Sequence, residues 1–189
     1  MRDRALADDA VQLMTRPTRE VVTIQIDDRL CTLIADDAAF EAAYGATLGE
    51  NADPARAIVE FTRVFHLRID PPPEYGGYLF ADARSMSVVG TGGFKGGPDA
   101  AGDVEIAYGV FPPFEGQGYA KAIARALVKR AVDNGAPHVI AHTLPEVNAS
   151  GSILRGIGFR QVATVISDPE DGPVFRWELP AEVAGTFRS

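Results

Sequence analysis

At 189 residues, with 46% apolar and 23% charged side chains, the chain is long enough to bury the core of one domain and has an ordinary globular balance. A net charge of −8 excludes a broadly basic, nucleic-acid-binding surface and suits a cationic partner, although solubility alone also accounts for it. No apolar run approaches the ~18 residues of a membrane span, the first residues lack the apolar core of a secretory signal, and Cys31 is alone, which leaves neither an internal disulfide nor thiol-rich zinc spacing. The expectation is a cytoplasmic protein, without membrane partner or metal, organised as a single domain over 1–189.

Met1–Arg19 has no clear period and reads as a partly ordered arm, with a short helix around Ala7–Met14. Glu20–Ile26 is rich in β-branched residues and predicts the first strand. Asp36 or Asp37 caps a following helix that carries Phe40, Ala43 and Tyr44. Asp53-Pro54 predicts a helix start with aspartate at the cap, and Ile58, Phe61, Thr62, Phe65 and Ile69 form its apolar face. Pro71-Pro72-Pro73 closes that segment. Tyr78–Asp82 and Met86–Phe94 predict an antiparallel pair joined by Ala83-Arg84-Ser85, with Gly90, Gly92 and Gly93 allowing a bulge or the close approach of another backbone.

The most informative stretch runs from Asp103 to Asn134. Val104, Ile106, Tyr108 and Val110 alternate with Asp103, Glu105, Ala107 and Gly109, a strand that Pro112-Pro113 ends. Glu115–Gly118 leads straight into a helix whose Ala120, Ile123, Ala124, Leu127, Val128 and Ala131 make one apolar stripe. Strand, glycine loop and helix place backbone N–H groups and a positive dipole end beside a strand terminus, a place to hold a phosphate. His138–Thr143 predicts a short buried strand parallel to Asp103–Phe111, reached by the crossover helix. Asn148 caps a short helix over Ala149–Arg155, and Val162–Ser167 with Val174–Leu179 reads as a final hairpin. The expected class is α/β, with a mixed sheet of six or seven strands opened near Val110 and helices on both faces.

Glu115-Gly116-Gln117-Gly118-Tyr119-Ala120 resembles the acyl-CoA-binding loop of the GNAT family of N-acetyltransferases, Gln/Arg-x-x-Gly-x-Gly/Ala. Gly118 and Ala120 match, and Glu115 stands where the family usually has Gln or Arg. The flanking text, VEIAYGVFP before and AHTLPE, NAS and GF after, is similar to the branch of the ribosomal-protein N-terminal acetyltransferases (RimJ/RimL-like). The likeness extends from about Gly90 to Phe159.

This resemblance implies the acyl-CoA N-acyltransferase fold, with a mostly antiparallel sheet, and an acetyl-CoA-dependent N-acetyltransferase. Its cosubstrate is acetyl-CoA, no metal is required, and its partner is an amine, either a small molecule or a protein N-terminus, with a homodimer unsurprising. The amides of Gly116–Lys121 would take the diphosphate: Glu115, Gly116, Gln117, Gly118, Tyr119, Ala120 and Lys121 are the cofactor loop. The pantetheine arm would pair with free backbone at Val110, just after Tyr108 and Gly109, and Asn148 would hold the same arm. Glu105, at a position where related enzymes use an acidic residue, is the candidate base, and Ser150 matches a serine placed near the sulfur. The tyrosine that many members carry as acid falls at Leu154.

Each residue also has a plainer role: Asn148 and Ser150 as helix caps, Lys121 and Arg125 as a solvated face, Glu105 as a charge that binds a cation. Phe61, Phe65, His66 and Tyr75 are candidates for the acceptor pocket, against core packing. His142 faces the site or simply packs. A Rossmann or P-loop enzyme is excluded because neither motif occurs at a strand–helix junction. The rival reading is a GNAT-like module that binds acyl-CoA or a metabolite without turnover.

Overall fold

The computed structural model describes residues 19–168 and 172–188. The proposed helix around Ala7–Met14 and the tip of the final hairpin lie outside them.

β1 (Val21–Gln25) is followed by α1 (Asp28–Leu33), a helix that the sequence pattern does not announce. Its six residues bury only Leu30, too little for a periodic signal; its sign is Asp27, whose Oδ1 accepts from the Leu30 N–H at 2.8 Å. α2 (Asp37–Tyr44) starts on Asp36, whose carboxylate accepts from the N–H groups of Ala38 and Ala39, and ends on Gly45. α3 (Ala52–Ile69) begins before the expected cap, so Asp53 lies in the first turn, where its charge complements the helix dipole. Asp70, at φ 43°, and the prolines after it stop that helix.

β2 (Gly77–Asp82) and β3 (Val88–Phe94) form the expected pair. β3 starts at Val88 rather than Met86 because Met86 sits at φ 56°, outside strand geometry. Asp82 ties the connection, its Oδ1 accepting from the Arg84 and Ser85 N–H groups and the Ser85 hydroxyl, and these bonds hold its carboxyl below the usual range despite burial.

β4 (Asp103–Val110), α4 (Tyr119–Asp133), β5 (His138–Thr143), α5 (Ala149–Ile157), β6 (Arg160–Asp168), β7 (Gly172–Glu178) and the short α6 (Ala181–Ala184) complete the order. The seven strands make one sheet, β1-β2-β3-β4-β5-β7-β6, antiparallel except where β4 lies parallel to β5. The sheet is the mixed, mostly antiparallel one expected.

Each face has its own core. Tyr78, Phe80, Val104 and Ile106 share a core with Ile123, Leu127 and Val128 of α4 and Leu154 of α5, joined by Trp177 of β7. The alternate residues Leu79, Ala81 and Val88 meet Leu30, Phe40, Ala55 and Val59 of α1, α2 and α3. α4 lies close to β3 because Gly90 and Gly92 carry no side chains: a Cβ on Gly90 would fall 2.3 Å from the Gly109 carbonyl oxygen and 3.0 Å from Ile123.

Candidate active site

The parallel contact between β4 and β5 is short: Asp103 pairs with His138, Val104 with Val139 and Glu105 with Ile140. Beyond Glu105 the two strands follow different neighbours. Ile106–Val110 stays on Phe94–Gly90 of β3, while Ile140–Thr143 stays on Phe175–Glu178 of β7. The sheet therefore parts just after Glu105, earlier than the Val110 expected. The backbone edge of Ile106–Val110 is left without a strand partner on the β5 side, the kind of edge an extended arm can pair with. Tyr108, Gly109 and Val110 all lie on it.

A cavity of about 270 Å³ fills this gap, with Glu105, His142, Ser150 and Leu154 on its walls. Glu105 is held from two sides: Oε1 lies 3.1 Å from Lys95 Nζ, and Oε2 lies 3.1 Å from His142 Nδ1. Its side chain is only 15% exposed, so a largely buried carboxylate stands at the gap with an imidazole and an ammonium beside it. Behind it Asp103 and Glu178 clamp Arg176, at 2.7 and 2.9 Å. His142, left open between packing and function by the sequence, thus faces Glu105.

Ser150 is half-buried in the first turn of α5 and lines the gap. Asn148 takes the plainer role: Oδ1 accepts from the Gly151 N–H at 2.9 Å and Nδ2 donates to the Leu144 carbonyl, capping α5. Leu154 is 1% exposed and supplies no acid. The side chain of Tyr108 packs against the α4 core. Its hydroxyl is buried without a hydrogen-bond partner among the described residues, and burial pushes its ionisation up to about 12.

The loop before α4 takes its shape from Gly116 and Gly118, at φ 67° and 91°, angles that disfavour any side chain. No side chain caps α4 and its first turn holds no acid, so its N-terminal amides can meet an anion. Gln117 Nε2 donates to the Pro113 carbonyl, and Arg19 Nε donates to the Gln117 carbonyl at 3.3 Å. Tyr119 turns inward. Its hydroxyl donates to Asp82 Oδ2 at 2.9 Å, so only its backbone faces the loop. Glu115 and Lys121 are exposed, Ala120 is half-buried, and Arg125 lies over the Phe187 ring instead of near the loop. This uncapped, glycine-shaped loop and the free edge of β4 fit a diphosphate and its arm.

A second cavity, about 420 Å³, adjoins the gap and shares Lys95, Ala107 and Tyr108 with it. Phe61, Phe65 and His66 line it, as the sequence suggested, but Tyr75 is buried in the core against Phe94. Burial pushes the His66 imidazole below its ordinary value. The sequence pointed to Gly93 for close backbone approach and to Gly109 for the cofactor arm, but did not place them, with Ala107, as the floor of this cavity. Among the described residues no group of three or more His, Cys, Asp or Glu side chains can hold a metal ion.

A mixed sheet parted beside a parallel pair, with a glycine loop opening the crossover helix, defines an acyl-CoA N-acyltransferase. A model of the acetyltransferase (GNAT) domain matches residues 19–160, and the chain belongs to that family: it is an acyltransferase that moves an acetyl group from acetyl-CoA to an amine. Solved structures share the fold. RimL, the ribosomal L7/L12 alpha-N-protein acetyltransferase in complex with coenzyme A, is 16% identical, with a TM-score of 0.57 over 86% of this chain and 96% of its own. A GNAT acetyltransferase from Bacillus anthracis is 14% identical, with a TM-score of 0.58 over 88% and 98%. A chimera of the spermidine N-acetyltransferase SpeG from Vibrio cholerae is 11% identical, with a TM-score of 0.57 over 88% and 99%. A search of curated proteins returned no match.

Proposed function

We propose that the acceptor is a primary amine, of a small molecule or a protein N-terminus, acetylated by direct transfer in a ternary complex with Glu105 as the base. The observation that supports this most is the place of Glu105: its carboxylate lies where β4 and β5 part, on the gap that Ser150 also lines, with His142 Nδ1 at 3.1 Å. In this reading Glu105 takes a proton from the ammonium, directly or through water, and His142 and Lys95 keep the carboxylate oriented. The neutral nitrogen forms the N–C bond to the acyl carbon, the C–S bond breaks, and the second proton that the nitrogen sheds on becoming an amide passes to the leaving thiolate, in the gap that Ser150 lines. Cys31 lies on α1, away from the gap, which supports a route without an acyl-enzyme.

The loop of Glu115–Lys121 would hold the diphosphate through backbone amides, with Tyr108, Gly109 and Val110 offering backbone to the arm and Asn148 keeping α5 in place. The acidic balance, −8, favours a cationic acceptor over nucleic acid. Thiol release from acetyl-CoA, measured across peptides, polyamines, amino acids and aminoglycosides, tests the proposal. Transfer to at least one of these amines is expected. Tight CoA binding with no transfer to any would favour a non-catalytic module instead.

A further inference from the structure

The acceptor-side cavity has an uneven chemistry. Its roof is one stripe of α3, Ile58, Phe61, Thr62, Phe65 and His66, at helical spacing. Its floor is nearly bare backbone. Gly93 pairs with Ala107 and Thr91 with Gly109, and a Cβ added to Gly109 would meet nothing within 4 Å. The rings of Phe61 and Phe65 are parallel to within 5°, with centroids 6.4 Å apart. With a floor of nearly bare backbone beneath them, these stacked rings make an aromatic-walled slot. Phe61 is 68% exposed, so the fold gains little from burying it, and its place on the slot needs another account.

Charge narrows the choice. Among the described residues no carboxylate lines this cavity. Lys95 is paired with Glu105, and burial disfavours the charged form of the His66 imidazole. Among the described residues the adjoining gap, which shares Lys95, Ala107 and Tyr108 with the slot, is lined by one carboxylate, Glu105. A single cationic head is served there, but a second cation farther along the molecule would lie among rings and backbone without a counter-charge.

From these observations we infer that the acceptor is a small monoamine with a planar aromatic body: the ring lies in the slot below Phe61 and Phe65, and the amine reaches Glu105. This rests on the acetyl-transfer reading and names its substrate class. Stacking on the two rings and burial of an apolar ring supply the selectivity.

The test compares 2-phenylethylamine with spermidine on CoA-saturated protein, by amide chemical-shift titration, and on acetyl-CoA, by thiol release. The aromatic amine is expected to bind, shift the amides of Gly93, Ala107 and Gly109, and exceed spermidine in kcat/KM by roughly tenfold to a hundredfold. Phe61→Ser with Phe65→Ser should weaken its binding about tenfold or more while CoA affinity holds. If the double variant does not fold, Phe65→Leu, which keeps apolar volume but removes the ring, should still lose several-fold. No binding of 2-phenylethylamine, spermidine as the equal or better acceptor, or unchanged binding in the ring variants each overturns the inference. Binding as expected without any thiol release upholds the slot and removes acetyl transfer instead.

Discussion

The two long helices look alike in sequence and differ in what the fold does with them. α4 buries eight residues, from Tyr119 to Val132, against the sheet and α5. α3 is longer, yet it buries only Ala55 and Val59 and leaves Phe61 and Leu67 mostly, and Val64 nearly half, in water. The cause lies in the facing surface. Under α4 the sheet offers Tyr78, Phe80, Val104 and Ile106, large enough to close the interface. Under the aromatic part of α3 it offers Gly93, Ala107 and Gly109, so the rings overhang space. The same periodic stripe makes a core in one place and a cavity wall in the other, and the cavity adjoins the gap that Glu105, the proposed base, lines.

The sharpest way to break this contrast is at Glu105. Glu105→Gln keeps the size and removes the proposed base. It should lose ~10²–10⁴ in turnover at neutral pH while binding acetyl-CoA normally. The deficit should narrow as pH rises through the amine's own pKa, ~7.7–8.0 for an α-amine, because neutral nucleophile then forms unaided. A change confined to KM for the amine would make Glu105 a binding charge instead.

Next come paired truncations on the two helices. Leu127→Ala in α4, at 1% exposure, should cost about 2–5 kcal/mol by urea unfolding. Phe61→Ala in α3 should stay within about 0.5 kcal/mol. Comparable losses at both sites would mean that the α3 rings support the fold after all.

A smaller effect is expected at the loop. Gly118→Val forces a β-branched residue to φ 91°, and CoA affinity by calorimetry should fall roughly tenfold with circular dichroism unchanged. Undiminished affinity would move the diphosphate elsewhere.

The smallest effect concerns His66. Its folded pKa lies below the ordinary value of about 6.5, so between the two the unfolded chain binds more protons. Stability from this group is therefore complete above pH ~6.5 and declines as pH falls through the window towards the folded value. His66→Gln should flatten that part of the pH–stability curve, and an unaltered curve would show that the imidazole stays solvated.

The middle of the chain is legible from its residues alone. Asp103–Val110, the glycine loop, α4 and the parallel return through His138–Thr143 carry signals within a few residues: alternation, punctuation by Pro112-Pro113, and an apolar stripe. Asn148 as a cap is readable for the same reason. Other features depend on partners distant in sequence, and local pattern is silent about these. Whether the stripe of α3 packs or overhangs depends on glycines in β3 and β4. Where the sheet parts, at Glu105 and not at Val110, depends on β5 following β7 while β4 follows β3. That His142 meets Glu105, and that Tyr119 turns inward to Asp82, are long-range pairings of the same kind. Local composition determined which elements form; the packing of strands and helices against one another decided which of their faces are core and which enclose a site.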